Sequence, residues 1–295
     1  MEIDDQQKTR APRVLLALAA VYLSWGSTYF AIKIALTELP PLFMMGIRFF
    51  VFGIGFYLYL RMRGAPNPTM REWFRSAVIG TFLMLGGSAG VAYAEQWVSS
   101  GVAALVIATT PLWTVLFAGF WGRWPNRLEW AGLLTGLLGI AVLNLGGDLR
   151  ASPASAFLLV LAAVSWAFGS AWSQQLKLPK GMMAGAAQMI TGGMIVIAIG
   201  LALGERVHAF PSWKPLLAVL YLGIFGSLVG FSAYVYLLGR VRPALATSYA
   251  YVNPVIAVAL GVAFAGERIV ATEWLAMLII VLGVALVALG QRGKT

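Results

Sequence analysis

The chain of 295 residues is 60% apolar and only 11% charged. Soluble domains carry about 25% charged residues, so a globular surface facing water is excluded. There is no cysteine and one histidine, His208, which excludes disulfides, thiolate sites, a His-rich metal centre and His-based chemistry inside a membrane.

Apolar runs near the roughly 20 residues that cross a hydrocarbon core predict ten spans. A polar tail, 1–13, leads into the first span at 14–36. "ALAA" at 17–20 imitates a signal-peptide cleavage site, but the run continues to Leu36, so an uncleaved helix is expected. The remaining spans fall at 41–60, 74–94, 99–121, 128–145, 154–176, 182–203, 214–238, 243–265 and 271–290, before a short tail at 291–295. The connections carry turn signals such as Pro40-Pro41, "RGAPNPT", Pro125-Asn126 and "GGDLRASP". No Gly-rich phosphate loop, Walker lysine or HExxH pattern interrupts them.

The spans place polar and aromatic residues at membrane depth. In the first, "VYLSWGSTYF" puts Ser24, Ser27, Thr28 and Ala31 on one helix face. Such a face serves either helix packing or a cavity wall. Trp25 lies near mid-span, although tryptophans favour the membrane interfaces, and this marks it as cavity-lining. In the second span Arg48 either snorkels to the surface or meets an acid or an anionic substrate group. Glu95, ending the third span on the face of Ser88 and Ala92, is either an interface carboxylate or a protonatable or cation-binding group that pairs with Arg48. Tyr93 precedes it. In the sixth span Ser165 and Trp166 repeat the Ser-Trp pair of the first. Tyr234 in the eighth and Tyr251 and Asn253 in the ninth offer ring faces, a hydroxyl and an amide. Asn253-Pro254 is either a plain kink or a source of a freed carbonyl. The glycine faces at Gly132, Gly136 and Gly139 and at Gly226 and Gly230 read as packing surfaces.

Lysine and arginine set the orientation. Fifteen of the 21 fall in the N-terminal tail, alternate connections and the C-terminal tail, and four in the other connections. Both termini are therefore expected in the cytoplasm. The net charge of +10 follows from this flanking pattern, and no nucleic-acid partner is expected.

The chain also repeats itself. Pro111 in "ATTPLW" falls opposite Pro254 in "YVNPVI", and Tyr93 opposite Tyr236, at an offset of 143. Glu129-Trp130 and Gly139 fall opposite Glu273-Trp274 and Gly283 at an offset of 144. Two units of five spans follow, 14–149 and 150–290. Because five is odd, a direct repeat in sequence becomes an inverted repeat in the membrane. In secondary transporters built this way the site lies at the repeat interface near the midplane.

The residues "SWGSTYFAIK", "PPLFMMGIRFF", "TTPLW", "VNPV" and "AGERIVATEWL" resemble the EamA branch of the drug/metabolite transporter superfamily, over essentially the whole chain. The resemblance implies ten helices, a central cavity and export of metabolites or drugs, with amino-acid exporters among the members. One departure is visible: the fourth span ends in Gly122-Arg123 where the family often has Gly-Glu, while the ninth ends in Gly266-Glu267. A role that needs both acids lacks the first of them.

The expectation is an all-α polytopic membrane protein, not an enzyme, of the bacterial inner membrane. It exports small amphipathic metabolites or drugs, amino acids among them, by alternating access. The cavity set is Ser24, Trp25, Ser27, Thr28, Arg48, Tyr93, Glu95, Ser165, Trp166, Tyr234, Tyr251 and Asn253. The partners are a small-molecule substrate and the bilayer, with no cofactor and no metal. An exchanger of phosphorylated or sugar compounds is the first alternative, and a non-transporting scaffold the second. Neither the oligomeric state nor the substrate is written in the sequence.

Overall fold

Proline, glycine and side-chain hydroxyls set the joints of this bundle. The computed structural model describes residues 2–98, 100–144, 153–256 and 271–290, and among them every regular element is helical. Helix α1 (Glu2–Gly26) already includes most of the 1–13 tail. It gives way at Ser27 to α2 (Thr28–Ala35). The cause is local: Ser27 Oγ bonds the carbonyls of Leu23 and Ser24, and Thr28 Oγ1 bonds that of Trp25 at 2.7 Å. Hydroxyls that bond back to the preceding turn compete with the backbone ladder and bend helices.

Helix α3 (Pro41–Met62) starts on Pro41 in its first turn, where the missing N–H is harmless. The third rod begins with α4 (Met70–Gly80), whose capping box joins Thr69 and Glu72 and satisfies two orphan donors. The rod then widens into a π-helical stretch, π1 (Thr81–Ala89), and ends as α5 (Gly90–Ala94). The expected fourth span is two pieces, α6 (Ser100–Ile107) and α7 (Thr110–Gly119). Pro111 cannot donate to the carbonyl of Ile107, and the Thr110 hydroxyl takes that carbonyl at 2.6 Å. Helices α8 (Arg127–Asn144), α9 (Pro153–Ser173) and α10 (Met182–Ala202) follow. The eighth rod copies the third: α11 (Trp213–Tyr221), π2 (Leu222–Phe231) and α12 (Ser232–Leu238). Next come α13 (Pro243–Ala246) and α14 (249–256), interrupted at Thr247 and Ser248 rather than at Asn253-Pro254. The last helix is α15 (Ala271–Gly290).

Helical segments thus stand at each of the ten expected positions. Among the described residues, six stretches are long and apolar enough to cross a membrane: Pro12–Ala35, Pro41–Met62, Met70–Ala94, Ala154–Ser173, Met182–Ala202 and Trp213–Leu238. Thr110–Gly119 and Trp274–Val287 are shorter apolar helices. The expected end of the ninth span, 257–265, the Gly266-Glu267 pair and the 291–295 tail lie outside the described residues.

The packing treats the two halves alike. Helix α3 packs along α10, and α8 along α15, so spans with the same place in each half pair with each other. Helix α1 packs on π2, while α9 packs on π1. Both like-with-like seams are closed by small residues. A Cβ on Gly193 would meet the Phe50 nitrogen at 2.6 Å, and one on Gly283 would meet the Gly136 nitrogen at 2.6 Å. Backbone touches backbone at these points. The sequence reading of Gly132, Gly136 and Gly139 as a packing face matches their places here, against Gly283 and Val287, Tyr251 and Ile280 respectively.

Candidate functional site

The two Ser-Trp helices bring their indoles together between the halves. Trp25 and Trp166 meet edge to face with centroids 5.3 Å apart. Tyr234 lies 5.1 Å from Trp25 and 5.5 Å from Trp166, and Tyr249 lies 4.6 Å from Trp25. Each tryptophan sits against a π-helical stretch of the other half. Trp25 Nε1 donates to the Gly226 carbonyl at 2.9 Å, and Ser165 Oγ donates to the Phe82 carbonyl at 2.8 Å. Only glycine leaves room for these seats. A Cβ on Gly230 would lie 2.5 Å from Trp25 Nε1, and one on Gly87 would lie 2.6 Å from Trp166 Cε3. The π-helical turns thus shape matching sockets, in keeping with their frequent place at functional sites.

A partly open cavity adjoins this aromatic cluster. Its walls include Thr28, Tyr29, Ile32, Met45, Arg48, Ser88, Val91, Thr110 and Asn253, together with Trp25, Trp166 and Tyr249. On α2, α3 and the third rod the wall residues lie in the half toward the 36–40 connection. The aromatic cluster closes the side toward the opposite end. Beyond it Tyr22 and Ser248 hydrogen-bond at 2.7 Å, Arg123 bonds Gln174, Arg75 donates to the Lys177 carbonyl, and Arg242 pairs with the buried Glu129 at 2.6 Å. Each of these contacts ties one half to the other.

Arg48 is the cavity's cation. It is 4% exposed, so it does not snorkel. Nε donates to Ser227 Oγ at 2.9 Å, Nη1 meets Met45 Sδ at 3.5 Å, and the guanidinium carbon stands 4.5 Å from the centre of the Phe49 ring. A guanidinium has five donors, and these contacts leave most of them without a strong acceptor. Nor does Glu95 pair with it: both Glu95 carboxylate oxygens are buried without a hydrogen-bond partner. The expected Arg48–Glu95 pair is absent because Arg48 turns to π2 of the other half, while Glu95 stays beside α2. Across the cavity, Asn253 is 1% exposed and its Oδ1 has no partner. A strong donor and an open acceptor therefore share a chamber whose other walls are mostly apolar or aromatic, with Thr28, Ser88 and Thr110 among them.

Of the expected cavity set, Trp25, Thr28, Arg48, Trp166 and Asn253 stand on the wall. Ser27 bonds the Tyr221 hydroxyl at 2.6 Å, and Ser165 bonds Phe82, so both join helices. Ser24 is buried among them. Tyr93 packs on Trp97 with centroids 5.1 Å apart. Tyr234 stands behind the indoles and donates to Ser170 Oγ at 2.6 Å. Tyr251 donates to the Leu133 carbonyl at 3.1 Å, against α8. The sequence reading passed over Tyr29, Met45, Ser88, Thr110 and Tyr249. For Tyr249 a signal was present, since it lies one helical turn before Asn253. Tyr251, expected there instead, turns away from the cavity toward α8.

The profile of the EamA-like transporter family matches residues 12–145 and again 154–289. The chain belongs to this family. EamA-like proteins are transporters rather than enzymes. The chain is 46% identical to the inner membrane transporter YedA of Escherichia coli, over 93% of this chain and 90% of that one. It is 23% identical to a probable amino-acid metabolite efflux pump of Escherichia coli, covering 95% and 96% of the two chains. It is 26% identical to a probable terminal-alkyne amino-acid exporter of Streptantibioticus cattleyicolor, covering 86% of each. A protein crystal structure shares the fold with a TM-score of 0.77 at 23% identity, covering 95% of this chain and 99% of that one.

Proposed function

We propose that this EamA-like protein exports small amphipathic metabolites, amino acids among them, across the bacterial inner membrane by alternating access. In this reading the ten helical segments are ten spans in two inverted units, 14–149 and 150–290, with both termini cytoplasmic. The cavity then lies outward of the aromatic layer, and Trp25, Trp166, Tyr234 and Tyr249 form the inner barrier.

The observation that carries the substrate class is the placing of Arg48 and Asn253 in one aromatic chamber. Arg48 offers free guanidinium donors to a carboxylate, which forms bidentate pairs with arginine. Asn253 Oδ1 accepts from an ammonium or hydroxyl. The rings of Trp25, Trp166 and Tyr249 receive an apolar side group, or a cation through their faces. Relatives named for amino-acid export agree with such a cargo. A doubly charged phosphate ester would call for more than one cation, and Arg48 is the only cationic side chain among the described residues of the cavity wall.

Purified protein in liposomes loaded with L-phenylalanine should exchange labelled L-phenylalanine across the bilayer, with Arg48→Gln abolishing the exchange. Exchange of organic cations alone, unaffected by Arg48→Gln, would refute this reading.

A further inference from the structure

Glu95 follows the last residue of α5 and is 0% exposed, with no hydrogen-bond partner at either carboxylate oxygen. It lies one helical turn beyond Val91 and two beyond Ser88, and both of those line the cavity. The carboxyl is therefore set just past the cavity wall, on the cavity's own helix face. Its ionisable neighbours come from α2. Lys33 Nζ donates to the backbone carbonyl of Glu95 at 2.9 Å and of Val98 at 3.3 Å, but not to the carboxylate. Tyr29, one turn before Lys33, is buried and reaches the cavity. Neither α9 nor π1, which pack on α5, contains an ionisable residue, nor does α6. Helix α3 contributes Arg48, whose Nε is engaged by Ser227.

We propose that Glu95 is a proton-binding site coupled to cargo in the cavity. This rests on the transport reading above and adds its driving ion. A carboxyl buried without partners is stable as the neutral acid, because the ionised form loses its hydration and gains nothing in return. Ionisation releases one proton and leaves a carboxylate for which the Lys33 ammonium is the nearest cation. Lys33 keeps a third N–H beyond the two it gives to these carbonyls, and an ionised carboxylate draws it. Protonation therefore changes how α2 is held to the end of the third rod, and both elements are cavity walls. Ionisable residues at membrane depth characteristically mark proton paths. The equivalent position in the other half is Leu238, so the internal repeat does not duplicate this site.

Infrared difference spectra of the full-length protein in lipid test the proton site without any cargo. The parent should show a neutral carboxylic-acid carbonyl band that disappears on alkalinisation and is missing from Glu95→Gln. Identical spectra for parent and variant would overturn the proposal. Coupling is read from L-phenylalanine exchange in acidic and alkaline buffers. The parent rate should differ between the two, while the Glu95→Gln rate should be the same in both. Equal pH dependence in both proteins would overturn the coupling. A parent that exchanges no L-phenylalanine at either pH would refute the cargo reading instead, and the infrared band would still decide the proton site.

Discussion

Trp25 and Trp166, from equivalent helices of the two halves, touch edge to face at an interplanar angle of 86° with centroids 5.3 Å apart. This contact explains why the chain twice places an indole at membrane depth. Each ring closes the cavity floor and each is seated on glycines of the opposite half. Trp25→Ala or Trp166→Ala should leave protein in the membrane but cut transport sharply. Removing a core tryptophan costs about 3–5 kcal/mol, so thermal stability in detergent should also fall. Trp25→Phe separates the two effects. It keeps the ring but loses the bond to Gly226, worth about 0.5–1.5 kcal/mol. Its melting temperature should fall less than that of Trp25→Ala, as scanning fluorimetry would show.

Arg48→Lys should lose much of the transport, because an ammonium cannot reproduce the bidentate geometry of a guanidinium. Arg48→Gln should lose nearly all of it. Since Glu95 is not the partner of Arg48, the stability losses of Arg48→Gln and Glu95→Gln should add in the double variant. Rescue by the second change would instead reveal a direct pair. Melting temperatures of the two single variants and the double variant, measured side by side, decide this.

At the 36–40 end, Glu38 accepts from the Ser212 hydroxyl and from the Ser212 backbone nitrogen, both at 2.6 Å. These bonds, the hydroxyl first, hold the Glu38 carboxyl below its ordinary range. A lowered folded-state value stabilises the protein above the unfolded carboxylate range, near about pH 4. That contribution is lost as the pH falls further, through the folded-state value. Ser212→Ala should therefore lower the melting temperature at neutral pH, and the difference from the parent should shrink in acid. A difference that does not change with pH would separate the Ser212 contact from the Glu38 charge.

The absence of cysteine makes topology directly testable. A single cysteine at Asn67 should resist an impermeant thiol reagent added to intact cells, whereas one at His208 should react. Labelling at Asn67 from outside would reverse the orientation and put the cavity on the cytoplasmic side of the aromatic layer.

Much of the bundle was legible because hydropathy, proline and an internal offset all act locally along the chain. Pro41 at a helix start follows from one missing N–H; the break before Pro111 has the same cause, although the sequence reading kept 99–121 as one span. The Ser-Trp echo pointed to the cavity floor. What escaped depends on rotation and on distant partners. Arg48 looked as though it needed an acid, and nothing near it in sequence names Ser227, 179 positions away. Tyr251 and Tyr249 differ only in which side of α14 they occupy, and periodicity alone does not say which side faces α8. The π-helical stretches carry no signal that distinguishes them from ordinary helix, beyond an abundance of glycine.

The paired seams of α3 with α10 and α8 with α15 bring backbone against backbone at Gly193 and Gly283. A toothed contact moves only by lifting one side chain over another. A smooth one lets two rods roll past each other while every point of the track stays in touch. In the alternating access proposed above, these seams would be the bearings on which the halves turn about the tryptophan contact. A larger residue at Gly193 or Gly283 would meet backbone at 2.6 Å, so it should pry the rods apart, lowering the melting temperature together with turnover.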